Sequence, residues 1–166
     1  LHVLYPLVEQ LLDGDGIFDV FQNQAGAGLV GGQHRHGAHP QQPLEQAPAG
    51  HMERTIETAR QMGATVESLE EGIRVSMRGR PHPIRLETGP YPEFPTDMQS
   101  VMMAAASIAD GTSRIQENVF ENRFCVAKEL QKLGAHIIIE DKFAQVSGVE
   151  ALKGTSVMAE DLRGGA

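Results

Sequence analysis

Two aspartates stand at equivalent points of this sequence, and they are the side chains best suited to moving a proton. Asp97 follows Phe94-Pro95-Thr96 and Asp161 follows Ala159-Glu160, each at the expected start of a helix that comes after a hairpin. At a helix start the backbone N–H groups and the helix dipole favour negative charge, so both carboxylates are expected to be ionised and held in fixed directions. Spacing alone leaves two readings open, a helix cap or an oriented general base. Other patterns with chemical potential fare worse. Gly26-Ala27-Gly28-Leu29-Val30-Gly31 has the G-x-G-x-x-G form after the apolar run Ile17 to Phe21. A dinucleotide site needs a helix directly after those glycines, and QHRHGAHPQQP cannot supply one. His34, His36 and His39 could meet on a metal, but no cysteine or suitably spaced carboxylate completes a ligand set, so neither metal nor cofactor is expected. Cys125 opens an expected helix after Phe124 and reads as a small core residue.

The elements that must position the two aspartates come from an internal repeat. Thr55 to Met77 and Val126 to Gly148 align so that Met62-Gly63-Ala64 falls on Leu133-Gly134-Ala135 and Val75 on Val146. Each copy reads as helix, glycine, hairpin. Apolar residues recur at helical spacing at Met52, Ile56, Ala59 and Met62 in one copy, and at Val126, Leu130 and Leu133 in the other. Gly63 and Gly134 stand where a helix ends in a left-handed residue. Glu70-Glu71-Gly72 and Glu140-Asp141-Lys142 supply the hairpin turns. Between the copies, Thr96-Asp97-Met98-Gln99 has the form of a capping box, followed by an apolar face of Met98, Val101, Met102, Ala105 and Ile108. A strand is predicted from Ser113 to Val119, and a second capped helix is predicted to begin near Val157. The whole is an α/β pattern of roughly one and a half βαβ-type repeats.

Composition sets the bounds. The chain has 166 residues with 40% apolar residues, enough for one domain. Texture changes near residue 50: residues 22 to 50 are rich in Gly, Gln, His, Pro and Ala without periodicity, and the ordered part is predicted to cover residues 51 to 166. Lys and Arg total 14 against 22 Asp and Glu, a formal charge of −8, which argues against nucleic acid or anionic lipid as a partner. One cysteine precludes an internal disulfide framework. No apolar run reaches the roughly 18 residues of a spanning helix, and the expected compartment is the cytoplasm. Oligomeric state is not legible.

FPTDMQ at 94–99, ENVFENRF at 117–124, LGAH at 133–136 and GVEALKGTSVMAEDLRGGA at 148–166 together resemble the bacterial UDP-N-acetylglucosamine enolpyruvyl transferases (1-carboxyvinyltransferases). The resemblance runs from about His51 to the C-terminus and leaves residues 1 to 50 unmatched. It implies part of an inside-out α/β barrel, with helices inside and sheets outside, and transfer of enolpyruvyl from phosphoenolpyruvate to the 3-hydroxyl of UDP-N-acetylglucosamine. That reaction is the first committed step of peptidoglycan precursor synthesis, and so serves cell wall, cell shape and division. In the resemblance Asp97 and Asp161 are the catalytic carboxylates, and Thr96, Asp97, Val119, Phe120, Arg123, Leu162 and Arg163 fall on substrate-binding positions. Val119 would contribute through its backbone. For Arg123 an ion pair with Glu121 or Glu117 is the competing role. The family's phosphate-binding Lys and Arg and its reactive-cysteine loop have no counterpart here, so this chain alone is expected to be inactive. Two alternatives stand beside this reading. One is enolpyruvyl transfer to shikimate 3-phosphate; the other is a non-catalytic remnant that self-associates through exposed apolar faces at Met98 to Ile108 and Val157 to Leu162.

Overall fold

A computed structural model describes residues 15–23, 26–30, 52–69 and 72–158. The repeat unit of helix, glycine and hairpin forms twice. In the first copy helix α1 (Glu53–Gln61) leads to strands β3 (Thr65–Leu69) and β4 (Gly72–Arg78). In the second, α3 (Cys125–Lys132) leads to β7 (His136–Glu140) and β8 (Phe143–Ser147).

Both helices close in the same way. Gly63 takes a φ of 97° and Gly134 one of 96°. The N–H of Gly63 reaches Arg60 O while Ala64 N–H reaches Ala59 O; Gly134 N–H reaches Gln131 O while Ala135 N–H reaches Leu130 O. This paired bonding is the Schellman closure, which satisfies the last carbonyls and needs a left-handed residue at the glycine. Both hairpins then turn tightly, through the pairs Leu69↔Gly72 and Glu140↔Phe143. Glu70 and Glu71 lie outside the described residues, and Asp141 holds a φ of 53°, a conformation that Asp tolerates better than most residues.

Two four-stranded sheets result. In one, β1 (Asp15–Asn23) pairs antiparallel with both β2 (Gly26–Val30) and β4, giving the order β2-β1-β4-β3. Gly26–Val30 is therefore a strand rather than the loop of a dinucleotide fingerprint. The other sheet has the order β5-β6-β8-β7, with β5 (Arg85–Glu87) parallel to β6 (Thr112–Gln116) and the remaining pairs antiparallel. Between β5 and β6 the chain crosses over through a 3-10 turn at Thr96–Met98 and helix α2 (Gln99–Ala106), which makes a βαβ unit. The sequence did not reveal β5, because three residues between Pro83 and Gly89-Pro90 are too few for alternation to stand out.

The core gathers around α2, whose Gln99, Ser100, Met102, Met103, Ala104 and Ala106 are all buried. Leu86, Phe94, Ile115, Ala127, Leu130, Ala144 and Val146 pack into the same cluster. The expected one-sided face of α2 is thus too narrow, and its expected exposure does not occur: Met102 and Ile108 are buried and Met98, Val101 and Ala105 half-buried. A helix buried nearly all round shows little periodicity, which is why small residues such as Ala104 and Ala106 gave no signal. Helix α1 turns similarly from expectation. Thr55, Thr58 and Met62 are its buried residues, with Ile56 and Ala59 half-buried. Thr58 tolerates burial because its hydroxyl donates to Arg54 O at 2.8 Å.

After β8 the chain runs as a strap across the helices. Gly148 lies so close to Ala109 that a Cβ would meet the Ala109 carbonyl oxygen at 1.8 Å. Gly148 N–H bonds Gly111 O and Val149 N–H bonds Ser107 O. Arg80 fastens the crossing, donating to Ile108 O, Ala109 O and Val149 O at 3.1, 2.8 and 2.9 Å. Farther along, Lys153 N–H bonds Leu133 O and Met158 N–H bonds Glu129 Oε2. The Lys132 ammonium, and then the Met158 amide, hold the Glu129 carboxyl below its usual range. Among the described residues no helix is long and apolar enough to cross a membrane.

Candidate active site

The expected capping box does not form. Thr96 begins a 3-10 turn capped by Pro95, Met98 precedes α2, and neither position makes a side-chain cap bond. The Thr96 hydroxyl instead donates to Glu117 Oε2 at 2.9 Å, and the Gln99 side chain turns into the core with both amide atoms unpartnered. The Asp97 carboxylate is reachable from solvent, with 57% of the side chain exposed. Arg123 Nη2 lies 3.2 Å from Asp97 Oδ1, while its guanidinium stands 5.6 Å from the centre of the Phe120 ring.

Glu117 explains why β6 ends at Gln116 rather than at Val119. Ser113, Ile115 and Glu117 alternate inward, so strand periodicity carries a carboxylate into the interior, where Glu117 is 3% exposed. Its Oε1 accepts the N–H groups of Val119 and Phe120 at 2.8 and 3.1 Å. Those bonds fold the chain back on itself and take Val119 and Phe120 out of the ladder. The neighbouring residue adds a second fastening: Asn118 N–H reaches Thr88 Oγ1 at 2.9 Å and Asn118 Nδ2 reaches Thr88 O at 3.1 Å. With Glu117 taken up by three donors, Arg123 is drawn to Asp97, a partner the sequence did not suggest.

A cleft of about 360 Å3 opens over these residues. One wall is the start of α1, including Arg54; another is the loop from Gly89 to Asp97; the third is Val119 and Phe120. Thr96, Asp97, Val119 and Phe120, distant in sequence, thus face one space. Tyr91, 81% exposed, also lines it, and Arg54 spans two walls by its 3.8 Å approach to Glu93. Arg123 lines a second groove of about 890 Å3 with Cys125, Lys128 and Lys142. Cys125 is half-buried there rather than a core residue. Asp161, Leu162 and Arg163 lie outside the described residues, as do His34, His36 and His39. Sequence reasoning missed Glu117 and Tyr91 as site residues. Glu117 was detectable as an acid on the inward phase of a strand; Tyr91 offered no comparable signal.

A cleft with an exposed carboxylate, a neighbouring guanidinium and backbone-presenting loops can hold a polar ligand and take a proton from it. The sequence model described as EPSP synthase (3-phosphoshikimate 1-carboxyvinyltransferase) matches residues 43–166. The chain belongs to the EPSP synthase family. UDP-N-acetylglucosamine 1-carboxyvinyltransferase of Anaeromyxobacter sp. (strain K) is 50% identical over 118 residues, which span 71% of this chain and 28% of the relative. The enzyme of the same name from Desulfofundulus thermocisternus is 50% identical over 123 residues, 74% of this chain and 51% of the relative. The chain therefore spans between about a quarter and a half of the length of these relatives. Among solved structures, the enolpyruvyl transferase NikO from Streptomyces tendae superposes with a TM-score of 0.53 at 23% identity, covering 58% of this chain and 22% of that one. It shares the α/β fold.

Proposed function

We propose that this chain carries part of the site at which a UDP-N-acetylglucosamine enolpyruvyl transferase binds its amino-sugar nucleotide and moves the proton of the 3-hydroxyl. The observation that carries the reading is the convergence of Thr96, Asp97, Val119 and Phe120 on one cleft, with Arg123 on the Asp97 carboxylate. In the reaction the 3-hydroxyl oxygen adds to C2 of phosphoenolpyruvate while C3 gains a proton, and the tetrahedral ketal then loses phosphate from C2 and a proton from C3. Asp97 is the base for the hydroxyl proton, and Arg123 offsets charge at that carboxylate. The backbone of Val119 and the ring of Phe120 form the sugar's seat. Asp161, with Leu162 and Arg163, is assigned to the same site and to assisting the proton transfers. The step would belong to peptidoglycan precursor synthesis in the cytoplasm, and through it to cell shape and division.

Transfer to shikimate 3-phosphate is the second reading, favoured by the description of the family model. Relatives at 50% identity carry the amino-sugar name and favour the first. A two-dimensional amide NMR titration of the chain separates them. Added UDP-N-acetylglucosamine is expected to shift the Asp97 and Val119 resonances, and Asp97→Asn to weaken binding about tenfold, as loss of a charged hydrogen-bond partner does. Shifts with shikimate 3-phosphate alone would establish the second reading. A chain blind to both compounds would end the assignment.

A further inference from the structure

We propose that Glu117 is the positioning residue of the cleft, locking the turn that carries Asp97 to the segment that presents Val119 and Phe120. It lies outside every role assigned above, and its significance for catalysis rests on the amino-sugar reading.

The geometry is that of a clamp with one jaw on each wall. Oε2 receives the Thr96 hydroxyl at 2.9 Å, one residue from Asp97. Oε1 receives the amides of Val119 and Phe120. The carboxylate is almost wholly enclosed, at 3% residue exposure, so water competes little for these bonds. A carboxylate that satisfies three donors at once is stronger and more directional than three separate neutral bonds. Without it, two backbone N–H groups and a hydroxyl at the floor of the cleft would have to find other partners. Arg123, which contacts both Asp97 and Phe120, also links the same two walls. The separation between the proton-accepting carboxylate and the sugar seat is thereby set by Glu117 together with Arg123. A misplacement of that separation by about 1 Å costs an enzyme on the order of a hundredfold in rate.

The test is made on the full 166-residue chain, first without ligand. In Glu117→Ala the Val119 and Phe120 amides are expected to exchange with solvent at least about tenfold faster, as loss of a charged acceptor implies, and the Asp97 side-chain carboxyl resonance to move. Glu117→Gln keeps an acceptor for the two amides, and the Thr96 hydroxyl can rotate to accept from the new amide, so this variant is expected to restore most of the protection. Thr96→Val, on the opposite wall, is expected to perturb the Val119 and Phe120 amides that it does not touch, and Thr96→Ser to restore them. A merely structural Glu117 would not transmit the Thr96 change across the cleft. Unaltered Val119 and Phe120 exchange in Thr96→Val, or an unmoved Asp97 resonance in folded Glu117→Ala, would overturn the proposal. Addition of UDP-N-acetylglucosamine then judges the functional reading separately: a wild-type chain that does not bind removes the substrate assignment and leaves the ligand-free result standing.

Discussion

Among the described residues, Gln99 is the side chain whose buried polar atoms lack partners. It is fully buried, and neither of its amide atoms has a hydrogen-bond partner. An unpaired amide in an apolar core costs about 1–3 kcal/mol, more than a thioether of similar length loses by packing there. Gln99→Met is therefore expected to raise stability by ~1–3 kcal/mol, read as a higher urea midpoint at unchanged m-value. A loss of similar size would mean that the amide is paired in solution. The T-x-x-Q pattern pointed to the right place for the wrong reason. Thr96 and Gln99 do mark the entry to α2, but one hydroxyl found a buried carboxylate and the amide was swept inward when α2 became enclosed.

At the level of elements, the two Schellman closures permit a matched comparison. A Cβ at Gly134 would meet nothing within 4 Å, so Gly134→Ala should cost only the left-handed backbone penalty, about 1–2 kcal/mol. At Gly63 a Cβ would lie 2.9 Å from Cδ2 of His82, and Gly63→Ala is expected to lose more. Denaturant unfolding of the two variants gives the difference; equal losses would show that the His82 ring swings aside at little cost. The glycines were legible in the sequence because a positive φ restricts the choice of residue. Strand β5 was not, and neither was the end of β6, which is set by where the Glu117 carboxylate bonds back to Val119 and Phe120 rather than by any local propensity.

At the scale of the whole molecule, apolar exposure differs at α2 from what the non-catalytic alternative expected. The α2 face is buried or half-buried, while Met158, in the second segment expected to be exposed, is 64% exposed, and β7, an edge strand of its sheet, carries Ile138 at 58% and Ile139 at 42%. An open edge flanked by isoleucines invites pairing with another sheet edge, and a lysine on an edge is a common deterrent. Ile138→Lys is expected to reduce concentration-dependent association in sedimentation velocity without altering the unfolding midpoint by more than about 0.5 kcal/mol equivalent. Association that persists in this variant would place the contact elsewhere.

The repeat, its helices, its turns and the family motifs were determined by the sequence, because each is written in residues close together along the chain: a glycine for a left-handed cap, a two-residue turn, an apolar spacing. The tertiary structure alone decided which of those residues meet. Asp97 pairs with Arg123, Thr96 with Glu117 and Asn118 with Thr88 across gaps of 21 to 30 residues. Such pairings depend on how the βαβ crossover brings the end of β5 beside the end of β6, and no local pattern encodes that distance.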